Sequence, residues 1–360
     1  MPERVPAPRA RDLGLPLPGR PGPWNAITDV AGVEVGFCTI TEPARSLRTG
    51  VTAILPRGSA PEPMPVWAGH HALNGNGEMT GTHWIDDAGY FLGPILISNT
   101  HAVGACHTAA TRWMIDTYAE FFRAEHAWAM PVVAETYDGV LNDINAMAVT
   151  PDHALTALCT ARAGPVAMGS SGGGNGMIAY EFKGGTGTSS RRITLGLEEF
   201  TLGVLVQANH GLRPWLTILG QPVGRLMPEG ALLPRETGSI IVVLATDAPL
   251  AALSLRAVAK RAAIGIGRGG TPGGNNSGDI FLAFSTANPA PMPQRAPSLQ
   301  TYRQINAEYL DPLYLAAVEA VEEAVVEALV AGEDAPTVKP PGMICRAIDR
   351  DRLAALFREG

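Results

Sequence analysis

The chain has 360 residues, 46% of them hydrophobic and 17% charged, with 41 glycines and 30 prolines. Glycine plus proline stay below the share that marks a disordered chain, about a quarter, and the length allows a large core in one or two domains. A net charge of −7 without a long basic run excludes a nucleic-acid footprint and a polybasic membrane patch, which leaves small molecules or peptides as partners.

Residues 1–25 read as a proline-rich arm that wraps another subunit or stays loose, ahead of a single domain over 26–360. The arm has no continuous apolar stretch, which argues against a cleaved secretory signal, and no run in the chain reaches membrane-spanning length. Cys38, Cys106, Cys159 and Cys345 are scattered and form no Cys-x-x-Cys pair. Reduced thiols in a cytoplasmic protein are therefore expected. Short apolar strands are expected at 51–55, 94–98, 130–134, 166–169, 177–182, 193–197, 200–208, 215–219, 239–245 and 280–285, several joined by tight turns that favour antiparallel pairing. Helices are expected at 102–125, which lacks internal proline, at 151–161 behind the Thr150-Pro151 cap, and at 250–263. Near the C-terminus Val318, Val321, Val325 and Leu329 form one apolar stripe among Glu319, Glu322, Glu323 and Glu327, and Gly332 ends that helix. Adjacent strands flanked by one-sided helices give an α/β layered architecture, with helices outside stacked sheets.

Four glycine-rich stretches stand out, at 74–81, 169–176, 184–188 and 265–270. Gly265-Ile-Gly-Arg-Gly-Gly270 fits G-x-G-x-x-G, but it follows a helical pattern where a dinucleotide fingerprint follows a strand. Gly169-Ser-Ser-Gly-Gly173 fits G-x-S-x-G, but no helix comes next as a hydrolase elbow requires. The eight histidines show no zinc-ligand spacing, and no metal or cofactor is implied. Gly238-Ser239 is sharper, because it sits between a turn-like stretch and the β-prone run 240–245. A glycine before a hydroxyl residue at a strand start suits self-cleavage by an N-to-O acyl shift, since glycine accepts strained backbone and leaves its carbonyl open to Ser239 Oγ. The cut would free an α-amine on Ser239, with a reference pKa of about 7.7–8.0, so nucleophile and base would share one residue. Taken alone, an ordinary turn explains Gly-Ser as well.

The chain also carries seven blocks in order: Ile27-Thr-Asp-Val-Ala-Gly-Val-Glu-Val-Gly36, Asn74-Gly-Asn-Gly-Glu-Met-Thr-Gly81, Pro94-Ile-Leu-Ile-Ser-Asn-Thr-His-Ala-Val-Gly104, Ala134-Glu-Thr-Tyr-Asp-Gly139, Tyr180-Glu-Phe-Lys-Gly-Gly185, Val206-Gln-Ala-Asn209 and Ser277-Gly-Asp-Ile-Phe-Leu-Ala-Phe-Ser-Thr-Ala-Asn288. On these blocks, over nearly its whole length, it resembles the L-aminopeptidase D-esterase/D-amidase and β-peptidyl aminopeptidase family of self-processing hydrolases with an N-terminal serine. The resemblance implies an α/β/β/α sandwich like that of N-terminal nucleophile hydrolases but with its own connectivity. It also implies a homotetramer of two-chain protomers and cleavage between Gly238 and Ser239 into chains 1–238 and 239–360.

By the same resemblance Ser239 attacks the substrate, Ser277 and Asp279 contact and polarise that nucleophile, Asn209 and Tyr137 donate to the oxyanion, and Glu135 pairs with the substrate's free ammonium. Substrates would be short peptides, amino-acid amides or esters of L-, D- or β-amino acids, and the glycine loops 74–81 and 169–176 would border the pocket without any phosphate. Each residue has a structural alternative: Asn209 ends a strand, Glu135 and Tyr137 line a loop, and Ser277 and Asp279 form a turn. An acyltransferase on a related self-cleaving scaffold and a non-catalytic small-ligand binding protein are the competing functions.

Overall fold

The computed structural model describes residues 8–358. In chain order its first half holds β1 (Glu34–Glu42), β2 (Leu47–Leu55), β3 (Val66–Ala72), α1 (Thr82–Ala88), β4 (Tyr90–Phe91), β5 (Ile95–Asn99), α2 (Val103–Thr117), α3 (Ala119–Ala124), β6 (Val132–Thr136) and α4 (Pro151–Cys159). The second half runs through β7 (Ile178–Ala179), β8 (Phe182–Lys183), β9 (Gly185–Leu195), β10 (Glu198–Asn209), α5 (Val223–Leu226), β11 (Ser239–Thr246), α6 (Ala252–Arg268), β12 (Asp279–Ser285) and α7 (Asp311–Val330). A small ribbon, β13 (Ala335–Pro336) with β14 (Ile344–Cys345), and α8 (Arg350–Ala355) complete the described residues.

Two sheets result, one of four strands in the order β1-β2-β5-β6 and one of six in the order β4-β3-β12-β11-β10-β9. Strand alternation dictates how they stack. On β11, Ile241, Val243 and Ala245 join Ile54, Ile95, Ile97, Val132 and Ala134 of the smaller sheet in one core. Ile240, Val242 and Leu244 face the other way, into a core shared with Leu255, Val258 and Ala262 of α6 and Leu313, Ala317 and Val321 of α7. The outer face of the smaller sheet, through Val51, Ala53, Leu96 and Val133, packs on Cys106, Ala110 and Met114 of α2 and Ala154 and Leu158 of α4. The layers are thus α/β/β/α, as expected. Strand β11 is buried along its whole length, which is why 240–245 reads as an unbroken apolar run.

Several expectations are corrected. Residues 166–169 form no strand, because Gly169 turns the chain at φ +67° and leaves one bridge to Thr186. Residues 177–182 split into β7 and β8, because Tyr180 and Glu181 are both left-handed. Residues 215–219 form no strand either: a short 3-10 turn over Arg213–Trp215 is followed by a reversal at Leu219 and Gly220. The helix expected over 102–125 breaks at Tyr118, whose ring turns inward against Trp113. The helix expected over 250–263 extends to Arg268, so the G-x-G-x-x-G match lies largely inside α6, and the glycines at 185–187 open β9.

The stripe on α7 is also too narrow a reading, since Glu323 and Glu327 are fully buried. Residues 8–25 cover them: Arg9 Nε lies 3.0 Å from Glu327, and Arg11 and Arg191 pair with Glu323 at 2.8 and 2.7 Å. The described part of the arm is therefore folded onto its own chain, with Ala10, Leu15 and Leu17 buried. The arm's residues 1–7 lie outside the described residues. All four cysteines are unpaired, and no helix among the described residues is long and apolar enough to cross a membrane.

Candidate active site

Parallel β11 and β12 begin side by side, with Ile240 opposite Asp279, and antiparallel β10 ends there, with Asn209 opposite Ser239. Strand β6 of the facing sheet ends at Thr136, which carries Glu135 and Tyr137 to the same region. Four strand ends thus converge on one side of the sandwich.

Ser239 is 6% exposed, and its Oγ accepts the Gly278 N–H at 3.0 Å. Gly278 can do this because it has no side chain: a Cβ there would collide with the Asn76 carbonyl oxygen. On either side of that amide, the Ser277 hydroxyl donates to Asp279 Oδ1, and Asp279 Oδ2 accepts from Asn74 Nδ2 at 3.2 Å. Burial pushes the Asp279 carboxyl up from its usual range, while the Ser277 and Asn74 hydrogen bonds pull it down. The glycine-rich loop 74–78 is laced to the 274–279 loop, with Asn74 also donating to the Gly274 carbonyl at 3.2 Å and Asn76 to the Asn276 carbonyl at 2.7 Å.

On the other side of Ser239, Gly238 lies against the Asn209 backbone, where a Cβ would collide with the Asn209 carbonyl oxygen. The Asn209 amide is held by its own partners: its oxygen accepts the Ile178 N–H at 2.9 Å, and its nitrogen donates to the Tyr137 carbonyl at 2.9 Å. That leaves a second amide N–H uncommitted. Asn209, Tyr137, Gly238, Thr237, Leu233 and Gly176 line one pocket. The Tyr137 side chain is 37% exposed.

Glu135 is 4% exposed, and its carboxylate accepts from the Thr100 hydroxyl and, at 3.1 Å, from the Glu78 N–H. Burial pushes it up from the carboxylate range, and those two hydrogen bonds oppose the shift. Gly77 lies between Glu135 and Gly278: a Cβ on it would approach Glu135 Oε1 to 3.2 Å and Gly278 Cα to 3.3 Å. Glu135 therefore sits about one residue's width from the amide that holds Ser239.

All six residues singled out from the sequence come together here, Ser239, Ser277 and Asp279 most tightly. Asn74, Thr100 and the Gly278 amide are further members that motif reading did not assign. Asn74 was legible only as part of a glycine-rich block, and nothing local marks Thr100. The 169–176 stretch corrects an expectation in part: Gly176 reaches the pocket, but Gly172 and Gly173 are buried between the sheets, donating to Thr39 and Thr52. No cluster of His, Cys, Asp and Glu suited to a metal occurs among the described residues.

Fold and site together define a class: aminopeptidases on an N-terminal-nucleophile type of sandwich. A model of peptidase family S58 matches residues 25–340, and the chain belongs to that family. It is 48% identical to the Beta-peptidyl aminopeptidase BapA of Sphingosinicella microcystinivorans, over 98% of this chain and 92% of that one. Among solved structures it is similar to the L-aminopeptidase D-Ala-esterase/amidase from Ochrobactrum anthropi, described as a prototype for the serine aminopeptidases and a new variant among the Ntn hydrolase fold. That match has a TM-score of 0.93 and 56% identity, covering 98% of each chain. A Burkholderia sp. beta-aminopeptidase matches with a TM-score of 0.89 and 44% identity, covering 98% of this chain and 99% of that one. The family, the sandwich and the aminopeptidase class expected from the sequence are all borne out.

Proposed function

We propose that this aminopeptidase activates itself by cutting Gly238–Ser239 and then uses Ser239 as an N-terminal nucleophile. In the first event Ser239 Oγ attacks the Gly238 carbonyl carbon, the C–N bond breaks, and the Ser239 nitrogen leaves as a free amine. Water then hydrolyses the ester to a Gly238 carboxylate and a free hydroxyl. In turnover the α-amine takes the Oγ proton as Ser239 attacks the substrate carbonyl, the protonated amine leaves, and water releases the acyl group.

The free Asn209 N–H, together with the Tyr137 hydroxyl, would donate to the developing oxyanion, an interaction worth about 3 kcal/mol in comparable sites. Ser277 and Asp279 hold the backbone that anchors Ser239. Glu135 accepts the substrate's ammonium, which restricts cleavage to the N-terminal residue. Substrates on this reading are short β-peptides, as the names of the relatives suggest, and small amides or esters of L- or D-amino acids. A homotetramer of two-chain protomers in the cytoplasm, without a cofactor, completes the proposal.

The observation that carries it is the position of Gly238, pressed onto the Asn209 backbone immediately before a nucleophile fixed between two strands. Intact mass and N-terminal sequencing test it. A chain beginning Ser-Ile-Ile-Val is expected, with fragments of about 25 and about 13 kDa. A fully active, uncut chain of 37.8 kDa would overturn the proposal.

A further inference from the structure

Two sides of the scissile bond are held very differently. Downstream, Ser239 and Ile240 are locked between β10 and β12. Upstream, the Glu236 carboxylate ties residues 234–238 to the rest of the described fold, with Oε1 accepting the Gly211 N–H at 2.7 Å. Its other oxygen is turned to the loop across the site, where a Cβ on Gly274 would collide with Oε2. Gly211 lies two residues beyond Asn209. Gly274 accepts from Ser277 N at 2.9 Å and from the Asn74 amide that also holds Asp279. The carboxylate thus bridges the two loops that carry the oxyanion donor and the serine–aspartate element.

Glu236 is 9% exposed and has no ion-pair partner among the described residues, and Asp279 adds a like charge nearby. Burying an unpaired carboxylate costs stability, and nothing in the packing requires one here. A group kept at such a cost, three residues before the nucleophile, fits a task in placing the bond.

Resting on the self-cleavage reading, we propose that Glu236 is a positioning residue for self-processing. By clamping its segment to Gly211 and Gly274, it fixes the Gly238 carbonyl carbon within reach of Ser239 Oγ. Once the bond is cut its work is finished, so its loss should slow maturation far more than turnover.

The test follows full-length protein by intact mass after synthesis and counts cut chains by active-site titration with an amino-acid p-nitroanilide. Glu236→Ala is expected to slow appearance of the Ser239 chain about tenfold or more, the loss expected when a hydrogen bond to a charged group is removed. Turnover per cut chain should fall less than about twofold on the same reasoning. Glu236→Gln keeps an acceptor for the Gly211 N–H and should restore cleavage to within about threefold. Cleavage of Glu236→Ala at the parental rate overturns the inference. So does a parallel loss of cleavage, turnover and thermal stability, which would mark a merely structural role. If the unsubstituted chain never yields a Ser239 N-terminus, the self-cleavage reading fails instead, and the two failures are distinct.

Discussion

Replacing Gly238 by alanine tests the geometry of the proposed scissile bond with a single methyl group. The added Cβ would run into the Asn209 carbonyl oxygen and crowd the Asn209 carbonyl carbon at 2.8 Å and His210 Cα at 3.0 Å. These are backbone atoms at the end of β10, paired there to β11, so they cannot swing aside as a side-chain tip could. Residue 238 must give way instead, by about an ångström, and its carbonyl carbon moves with it, away from Ser239 Oγ. A displacement of that size costs about 10²-fold in rate in a positioned reaction, or about 3 kcal/mol on the barrier. Overpacking adds about 1–3 kcal/mol of lost stability. Parent and variant would be incubated at the same concentration, with the intact chain followed on denaturing gels and by mass, and folding checked by thermal melting. The expected result is a folded Gly238→Ala chain that remains largely uncut while the parent processes. A variant that folds and cuts within about threefold of the parental rate would refute the claim that the Asn209 contact sets the bond.

Ser239→Ala should stay a single 37.8 kDa species and lose amidase activity by about 10³-fold or more, and hydrolysis within about tenfold of the parental rate would assign the nucleophile elsewhere. Glu135→Gln should lower kcat/KM for substrates with a free terminal amine about 10–100-fold, mostly through KM, because a charge-assisted contact to the ammonium is replaced by a neutral one. An unchanged KM would remove Glu135 from substrate binding. Glu327 offers a pH test: burial pushes its carboxyl up to about 7 despite Arg9, above the 4.5 of an unhindered carboxyl. The folded chain then holds the extra proton between those values. This group's contribution to stability is therefore full below about 4.5, falls as pH rises through about 7, and is flat beyond, a span on the order of 3 kcal/mol. Urea midpoints at pH 5 and pH 8 should differ less in Glu327→Gln than in the parent, and an identical difference would show that Glu327 does not titrate in that window.

What the sequence disclosed about the fold follows the physics of burial. Strand β11 is legible because both its faces are covered and every residue is apolar or small. Strand β9 is not, since Thr186, Thr188, Ser189, Ser190 and Arg191 are polar and yet buried. Their partners come from far along the chain: Ser189 donates to the Ala320 carbonyl at 2.6 Å, Thr188 to the Val204 carbonyl at 2.6 Å, and Arg191 meets Glu323. No local window holds that information. The same long-range pairing hides the arm, whose Arg9 and Arg11 find their acids more than three hundred residues away on α7.

The site divides along a similar line. Gly238-Ser239 carries a local signature, a flexible residue ahead of a hydroxyl at a strand start, and Ser277 and Asp279 hydrogen-bond to each other across a single residue. Asn209 and Glu135 carry none, because a strand-ending amide and a carboxylate after apolar residues are ordinary local chemistry. Only tertiary placement gives them meaning: β10 must run antiparallel to β11 for Asn209 to face Ser239, and the loop 74–78 must lie between the end of β6 and the start of β12 for Gly77 to stand between Glu135 and Gly278. The glycine-rich loop expected to border the pocket lets two backbones touch, Gly77 against Gly278. The carboxylates it approaches, Glu135 and Asp279, are both pushed up by burial and both restrained by hydrogen bonds from hydroxyl, amide or backbone donors. On the proposed reading, the hydrogen bonds to Glu135 would offset the cost of burial and keep its charge available to a cationic substrate terminus where little water screens it.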